Sequence, residues 1–465
     1  MVWAESLFML PINPNIFKAY DIRGLYGIDF DDEMAYLLGQ AFIELRKNDA
    51  DCPANKTLRI AVAYDMRLSS PTLKDKLIDG LIAAGAEAID LGLISTPTFY
   101  FAVAKYNYDG GIIVSASHNP KDWNGFKLVR AKGVPISGET GIEFIKEKIL
   151  ANHFLPAKQP GQVSYNMGSL KDELEYTLSL TDIKKIKNLK IVTDTANGMG
   201  ATYLELLLRE LPGETIFLNS KLDGSFPAHE ADPLKAENLV DLSKAVITHG
   251  ADLGISTDGD GDRIFFIDNQ GEVINPAIIR GLLAQSFLAD KPGAKIGYDI
   301  RPGKITPDMI TAAGGIPVLT RVGHSLIKEQ MLKEDIYFAG ESSGHFFFNS
   351  PIGCFEFPGL MILKLLTLFS ASDQKIAEQI KPYKKYFLSG EINRTVTDKD
   401  AVFQAIKEKY ADGKISELDG VSVEYADFWF NVRGSNTEPK IRLNLEATSQ
   451  EKMAEKRDEV LELIK

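Results

Sequence analysis

The chain has 465 residues, more than one hydrophobic core usually supports, so its length predicts about three or four domains. Hydrophobic residues make up 45% and charged residues 25%, a composition that is ordinary for a folded globular protein and excludes global disorder. The 52 basic and 64 acidic side chains give a net charge of −12, which disfavours nucleic acid and anionic membranes as partners.

Signals for export or membrane insertion are lacking in the sequence. The first residues are apolar but include Glu5 and have no basic start, unlike a secretory signal. No uncharged run reaches the roughly 18 residues needed to span a bilayer. The two cysteines, Cys52 and Cys354, provide neither a disulfide framework nor a cysteine zinc site, which favours a reducing compartment. We therefore expect a cytoplasmic enzyme.

In chain order, one strand, helix, strand pattern recurs three times. It begins with the apolar runs LRIAVAYD (58–65), LKIVTD (189–194) and AKIGYD (294–299), each of which ends in an aspartate. After the first run, Ser70 is predicted as the N-cap and Pro71 as the first turn of a helix. Short glycine-containing turns between such elements indicate right-handed βαβ units, so we predict three similar mixed α/β domains.

The C-terminal part has a different pattern. Short alternating runs precede an amphipathic helix that is predicted to extend to Ile464. Such runs are typical of an antiparallel sheet covered by helices, which predicts a fourth domain of the α+β class. The predicted domains are residues 1–163, 164–272, 273–384 and 385–465.

The stretch GIIVSASHNPKDWNGFK (111–127) places Ser117 and His118 directly after an apolar strand. Ser117 could be a nucleophile, but the G-x-S-x-G elbow of hydrolases would need glycine where Ser115 and Asn119 stand. No Walker sequence is found in the chain, so nucleotide-driven phosphoryl transfer lacks its usual phosphate-binding loop. From this stretch alone, a structural serine would be the commoner interpretation.

The stretch TDGDGDRI (257–264) places Asp258, Asp260 and Asp262 at the end of another strand. Open α/β sheets bind their ligands at this edge, and three neighbouring carboxylates repel one another unless a cation is bound. Oxygen ligands favour a hard divalent ion such as Mg²⁺, and Arg263 suggests a phosphate beside it. An EF-hand is excluded because Arg263 and Asn269 occupy its sixth and twelfth positions. A solvated acidic turn is the alternative.

Two further loops carry polar side chains suited to a sugar phosphate. GESSGH (340–345) offers a carboxylate, a hydroxyl and an imidazole to a polyhydroxy ligand: Glu341, Ser343 and His345. VRGSNTEPK (432–440) offers donors for a phosphate from Arg433, Ser435, Asn436 and Thr437. Each loop could equally be an ordinary surface turn.

Taken together, the motifs resemble the α-D-phosphohexomutase superfamily in its phosphomannomutase/phosphoglucomutase branch. They are FKAYDIRG (17–24), SASHNP (115–120), NGFK (124–127), DGDGDR (258–263), GESSGH (340–345) and RGSNTEP (433–439). The resemblance spans all four predicted domains in family order, and it implies that they surround a central active-site cleft. It also implies interconversion of hexose 1-phosphate and hexose 6-phosphate through a phosphoserine and a hexose 1,6-bisphosphate, which also serves as activator.

The resemblance assigns a role to each motif residue. Ser117 carries the phosphoryl group and, with Asp258, Asp260 and Asp262, holds Mg²⁺. Glu341 and Ser343 bind sugar hydroxyls, and the non-transferring phosphate is held by Arg433, Ser435, Asn436 and Thr437. The remaining residues carried over to the catalytic centre are Lys127, Arg23, His118, Arg263 and His324, with Tyr20 and His345 less directly matched.

Two of these roles depend on the chemistry of a basic side chain. To accept a proton from the sugar hydroxyl, Lys127 would need a lowered pKa. In YDIRP, Arg301 stands where related mutases often carry lysine, which leaves its role open between phosphate contact and help in proton transfer.

The same motifs bear on the substrate. Glucose and mannose differ only at C2, so hydrogen bonds to the C3 and C4 hydroxyls would not distinguish them, and we predict activity on both. Phosphoglucosamine mutase is an alternative, although FKAYDIRG and GESSGH favour the phosphomannomutase branch. A haloacid-dehalogenase-type phosphatase would use Asp258 as nucleophile, but it would leave SASHNP unexplained, and a non-catalytic sugar-phosphate-binding homologue is a further alternative. We expect only small hexose phosphates as partners, and a monomer or small homo-oligomer.

Overall fold

The computed structural model describes residues 10–52, 56–155, 157–301, 303–434 and 440–464. They form two compact units, one of residues up to 273 together with 345–373, the other of 274–344 together with 374 onward. Three mixed α/β domains are followed by a C-terminal antiparallel domain, which confirms the predicted fold class. Within the part of the chain that the structure describes, no helix is both long and apolar enough to cross a membrane.

The first sheet has six strands in the order β1-β5-β4-β2-β3-β6. Strands β2, β3, β4 and β6 are parallel, whereas β5 runs antiparallel to both β4 and β1. Because β2 and β4 are parallel neighbours, the loops that follow them lie at the same edge of the sheet. The elements are β1 (Ile22–Leu25), α1 (Asp32–Asn48), β2 (Arg59–Tyr64), α2 (Ser70–Ala83), β3 (Glu87–Leu93), α3 (Thr96–Lys105), β4 (Gly110–Val114), β5 (Trp123–Arg130), α4 (Glu143–Ala151), β6 (Gln162–Tyr165) and α5 (Ser169–Ser179).

The second sheet has four strands in the order β10-β9-β7-β8. Three are parallel, and β10 turns back antiparallel to β9. The same reversal joins β4 to β5, so each of these two domains carries a loop at the tip of an antiparallel strand pair. The elements are β7 (Leu189–Asp194), α6 (Gly200–Arg209), β8 (Gly213–Leu218), α7 (Val240–His249), β9 (Leu253–Thr257) and β10 (Ile264–Asp268).

The third group of elements is divided between the two units. In the second unit, β11 pairs in parallel with β12 and with β13. That part comprises α8 (Pro276–Asp290), β11 (Lys295–Asp299), α9 (Ile305–Ala312), β12 (Ile316–Thr320), α10 (His324–Glu334) and β13 (Phe338–Gly340). The part in the first unit is an antiparallel strand pair and a helix: β14 (Phe346–Ser350), β15 (Gly353–Glu356) and α11 (Pro358–Ser370).

The last sheet is antiparallel throughout, with the order β16-β20-β19-β18-β17. Apolar side chains from the sheet and from its helices form a separate core. The elements are α12 (Ile376–Ile380), β16 (Phe387–Thr395), α13 (Lys399–Lys409), β17 (Lys414–Ser416), β18 (Val421–Glu424), β19 (Phe428–Gly434), β20 (Lys440–Ala447) and α14 (Gln450–Leu461).

Two sequence predictions about helix ends were wrong. The N-cap of α2 is Ser69, and Ser70 is the first helical residue. The Ser70 hydroxyl instead donates to Asp65 Oδ1 at 2.6 Å, because that buried carboxylate lies just beyond β2. The last helix ends at Leu461 rather than at Ile464. The domain boundaries at 163, 272 and 384 stay predictions, and β6 (162–165) pairs with β3 in the first sheet.

Candidate active site

Ser117 lies in the segment of residues 115–123, which joins β4 to β5 and includes the first residue of β5; it is here called the serine loop. The residue is buried and has a left-handed backbone with φ of +52°. Its N–H donates to Ser115 Oγ at 3.0 Å, and its hydroxyl donates to Asp258 Oδ2 at 3.0 Å. His118 Nδ1 lies 3.2 Å from the same hydroxyl oxygen. The structure therefore brings the predicted nucleophile together with one of the predicted metal ligands.

The three aspartates occupy the acidic loop (258–263), which joins β9 to β10. All three are buried, and a ligand oxygen of each lies within 4.8 Å of the others. Burial and the charges of the other two carboxylates raise the pKa of Asp258 well above its usual value. Asp260 Oδ1 is buried without a hydrogen-bond partner among the described residues. Clustered, desolvated and incompletely paired carboxylate oxygens fit a hard divalent cation.

Lys127 on β5 lies against this cluster. Its Nζ is 2.5 Å from Asp260 Oδ2 and 2.6 Å from Asp262 Oδ2. Burial lowers the pKa of Lys127, but the two carboxylates outweigh burial and raise the pKa well above its ordinary value. The lowered pKa that a proton acceptor would need is therefore not found, and Lys127 is an ammonium ion in this arrangement.

Two arginines lie close to the nucleophile. Arg23 on β1 donates from Nη1 to Asn119 Oδ1 at 2.9 Å, within the serine loop. The Arg263 backbone N–H donates to Asp258 Oδ1 at 3.1 Å, and the guanidinium Nε lies 3.7 Å from Asp258 Oδ2. Arg263 Nε and Nη1 are buried and have no hydrogen-bond partner among the described residues. Buried guanidinium donors that make no hydrogen bond to the described residues suit an anionic ligand such as a phosphate.

The electrostatic surroundings keep His118 neutral. Burial lowers the pKa of its imidazole, and the charges of Arg263 and Arg23 lower it further. A neutral ring has one nitrogen that can accept a proton or a hydrogen bond. The uncharged imidazole lies beside the Ser117 hydroxyl, with Nδ1 3.2 Å from its oxygen.

His345 is placed beside the metal ligands. It belongs to the first unit, and its Nε2 lies 3.2 Å from Asp262 Oδ1. Glu356 is also buried, and its carboxylate lies within 4.8 Å of ligand atoms of both residues. Sequence reasoning missed Glu356, whose only signal was a lone acid in the apolar run GCFEF (353–357). The sugar-binding role assigned to His345 stays a prediction.

Glu341 and Ser343 lie in the second unit and contact each other. The Ser343 hydroxyl donates to Glu341 Oε2 at 2.7 Å. Glu341 Oε1 accepts the Gly323 N–H at 3.1 Å. His324 follows Gly323 as the first residue of α10, so the structure places three of the predicted residues within one local arrangement.

Arg301, the residue where relatives often carry lysine, is paired with Glu341. Its Nη2 lies 2.9 Å from Glu341 Oε1, and its Nε donates to Asp299 Oδ2 at 2.5 Å. Burial lowers the pKa of Arg301, but Asp299 and Glu341 outweigh burial and raise it above its ordinary value. A permanently charged guanidinium cannot exchange protons, so proton transfer is excluded as its role. The buried Arg280, which sequence reasoning missed, is ion-paired with Asp299 on the other side.

Two sets of predicted residues are less fully described. Arg433 on β19 donates from Nη2 to Glu391 Oε2 at 3.2 Å. Ser435, Asn436 and Thr437 lie outside the described residues. Tyr20 is half-buried in a bend that precedes β1, and its role stays a prediction.

Comparisons with known families cover almost the whole chain. Residues 14–155, 172–271 and 275–386 match three families described as phosphoglucomutase/phosphomannomutase, alpha/beta/alpha domains I, II and III. Residues 391–463 match the C-terminal domain of the same series. All four families are therefore found in the chain, and in order.

Similar proteins carry consistent names. A phosphomannomutase of Methanocaldococcus jannaschii is 39% identical over 451 residues, with 97% of each chain covered. A phosphomannomutase of Vibrio cholerae is 40% identical over 460 residues, again with 97% of each chain covered. The crystal structure of a phosphoglucomutase/phosphomannomutase family protein of Burkholderia thailandensis has a TM-score of 0.87 and 31% identity, covering 97% of each chain.

A four-domain fold of this kind, with a buried serine beside three carboxylates, defines an isomerase of the phosphomutase class. The chain belongs to the phosphoglucomutase/phosphomannomutase family, and it is a phosphohexomutase.

Proposed function

We propose that Ser117 carries the phosphoryl group that passes to and from the hexose phosphate. The observation that supports this most directly is the buried hydrogen bond from Ser117 Oγ to Asp258 Oδ2 at 3.0 Å. In the first half of the reaction, phosphoserine gives its phosphoryl group to a sugar hydroxyl, and the hydroxyl proton goes to a base. The resulting hexose 1,6-bisphosphate then returns its other phosphoryl group to Ser117.

We further propose that Asp258, Asp260 and Asp262 hold Mg²⁺ together with an oxygen of the phosphorylated Ser117. The buried, mutually repelling carboxylates and the unpaired Asp260 Oδ1 support this ligand set. Magnesium would neutralise the charge that develops on the transferring phosphoryl group. Burial of Ser117 and of the three aspartates keeps bulk water from the serine oxygen.

The cationic and imidazole side chains are assigned to charge and proton transfer. Arg263 has buried donors with no hydrogen-bond partner among the described residues, so we assign it to the phosphoryl oxygens, with Arg23 as a second cation. Lys127 contacts the acidic loop directly, and we assign it to return a proton to the sugar oxygen in one half-reaction. His118 is assigned to proton acceptance from its position, because its Nδ1 lies 3.2 Å from the Ser117 hydroxyl oxygen.

Sugar recognition is assigned to Glu341 and Ser343, together with His324, which follows the Gly323 N–H that donates to Glu341. Arg301 positions the Glu341 carboxylate and does not exchange protons. Arg433 is assigned to the non-transferring phosphate, and the sequence assigns Ser435, Asn436 and Thr437 to the same role. Hydrogen bonds to hydroxyls that glucose and mannose share support activity on both sugars, because such contacts do not depend on the configuration at C2.

The cellular setting follows from composition. The acidic charge and low cysteine content support a cytoplasmic enzyme that takes small hexose phosphates, as a monomer or small homo-oligomer. We propose hexose 1,6-bisphosphate as activator, because it would rephosphorylate any Ser117 that had lost its phosphate.

Phosphorus NMR tests the proposed substrate range. The enzyme is mixed with Mg²⁺, a trace of glucose 1,6-bisphosphate, and either mannose 1-phosphate, glucose 1-phosphate or glucosamine 1-phosphate. We expect conversion of the first two to the 6-phosphates, and no conversion by Ser117→Ala. Conversion of glucosamine 1-phosphate alone would contradict the assigned sugars.

A further inference from the structure

Arg67 is a buried arginine in the loop that joins β2 to α2. It is 1% exposed, and its guanidinium donates four hydrogen bonds to the serine loop. Nη1 donates to the carbonyls of Pro120 at 2.7 Å and Trp123 at 3.0 Å. Nη2 donates to the carbonyls of Ser117 at 2.9 Å and Asn119 at 2.5 Å. One side chain therefore binds four carbonyls of the loop that carries the nucleophile.

The orientation of this guanidinium is fixed from behind by Asp65. Arg67 Nε lies 3.3 Å from Asp65 Oδ2, and both side chains are fully buried. Asp65 Oδ1 accepts the Arg67 N–H at 3.0 Å and the Ser70 hydroxyl at 2.6 Å. The ring of Phe226 lies over the guanidinium at 5.1 Å. The arginine is therefore held in one direction by an aromatic face and by a carboxylate that is itself fixed by the Ser70 hydroxyl.

The four N–H groups on the two Nη atoms of Arg67 all donate to serine-loop carbonyls. The fifth, on Nε, lies 3.3 Å from Asp65 Oδ2 as an ion pair without a hydrogen bond. Arg67 thus has no Nη donor left for a substrate phosphate. Arg263 differs, because its Nη1 has no hydrogen-bond partner among the described residues. The role of Arg67 is therefore positional rather than catalytic.

The position that Arg67 holds is unusual for a serine. The φ of +52° at Ser117 lies in the left-handed region, which a non-glycine residue adopts only when its surroundings impose it. The Ser117 carbonyl is bound by Arg67 on one side. On another side it faces Gly259, where a Cβ would lie only 2.3 Å from the carbonyl oxygen. With the carbonyl direction fixed, the hydroxyl is directed at Asp258.

We propose that Arg67 is the positioning residue of the nucleophile, and that its four-carbonyl clamp holds Ser117 in the left-handed conformation that directs its oxygen at the acidic loop. The inference rests on the proposed role of Ser117. Lysine cannot replace arginine here, because three donors on a single nitrogen cannot reach four carbonyls held by a planar fork.

Arg67→Lys tests the proposal against Arg46→Lys as a matched control. Arg46 is equally buried in the same domain, where it donates to the Asp109 carbonyl at 3.0 Å and pairs with Asp51 at 3.0 Å, away from the serine loop. Measurements are kcat and KM for glucose 1-phosphate at saturating glucose 1,6-bisphosphate, and the melting temperature of each variant.

We expect kcat of Arg67→Lys to fall about 100-fold, as misplacement of a reacting group by about 1 Å can cause, while KM changes less than about threefold. Arg46→Lys should lose stability but retain kcat within about twofold, since it leaves the reacting groups in place. A kcat for Arg67→Lys within about threefold of wild type would overturn the proposal. A loss of activity in Arg67→Lys that its smaller folded fraction fully explains would also overturn the proposal.

If Arg67→Lys does not fold, Asp65→Asn provides the same test. It removes the charge that orients the guanidinium but leaves all four carbonyl contacts available, so kcat should fall about tenfold at an unchanged folded fraction. An unchanged kcat would overturn the proposal. Absence of mutase activity in the wild-type protein would instead contradict the proposed function.

Discussion

Replacing Glu173 with glutamine should stabilise the protein at alkaline pH and have little effect at acidic pH. Glu173 lies on α5, is 6% exposed, and accepts a hydrogen bond from the Thr98 hydroxyl at 2.5 Å. Burial raises the pKa of its carboxyl from 4.5 to about 7, although the Thr98 contact lowers it in part. Ionisation at higher pH therefore leaves a buried carboxylate with one neutral donor.

The magnitude follows from the shift in pKa. For an acid whose pKa is raised by folding, the two states bind protons equally well at low pH, and stability is lost as pH rises from the unfolded pKa through the folded pKa. A shift from 4.5 to about 7 corresponds to about 3 kcal/mol above pH 7, most of which is lost between pH 5 and pH 8. Glutamine resembles the protonated acid and avoids this loss.

The assay is the free energy of unfolding in urea at pH 5 and at pH 8. The advantage of Glu173→Gln over wild type should grow by about 2 to 3 kcal/mol between these values. The control is Glu175→Gln on the same helix, where the carboxylate is exposed. The reasoning would be refuted if the stability advantage of Glu173→Gln did not change with pH, or if Glu175→Gln gained as much stability between pH 5 and pH 8.

Three further predictions follow from single contacts. The hydrogen bond to Asp194 raises the pKa of His229 in the folded protein. The folded state is therefore stabilised below about pH 6.5, and this stabilisation is lost as pH rises through the folded pKa. His229→Gln should accordingly lower the melting temperature more at pH 5.5 than at pH 9. Gly259→Ala should lower kcat at least tenfold, measured with glucose 1-phosphate, because its Cβ would displace the Ser117 carbonyl; wild-type kcat would contradict this. Arg301→Ala should raise KM more than it lowers kcat, because it leaves the Glu341 carboxylate without its cation; a fall in kcat larger than the rise in KM would argue for a role in the chemical step.

Much of the fold could be predicted because local patterns and global structure agree. Apolar runs that end in aspartate form the strands β2, β7 and β11, and the serine loop and the acidic loop follow β4 and β9. The antiparallel orientation of β5 and β10 could not be predicted, because an apolar run is compatible with both a parallel and an antiparallel strand. That orientation returns Lys127 to the aspartates.

The sequence indicated which residues belong to the candidate site better than it indicated which of them contact one another. GESSGH is one sequence motif, yet His345 contacts Asp262, whereas Glu341 contacts Arg301. Arg67 had no distinctive signal, since it is simply the third residue after β2 and its four acceptors are backbone carbonyls. Contacts to backbone atoms leave no trace in side-chain patterns, so only the structure identifies them.

Phosphate on Ser117 is the central claim, and peptide mass spectrometry tests it most directly. The purified enzyme is incubated with glucose 1,6-bisphosphate, desalted, and analysed before and after a single turnover with excess glucose 6-phosphate. We predict a phosphorylated peptide containing Ser117, whose phosphate passes to the sugar as bisphosphate. Turnover by protein that carries no phosphate on Ser117 at any stage would contradict the account.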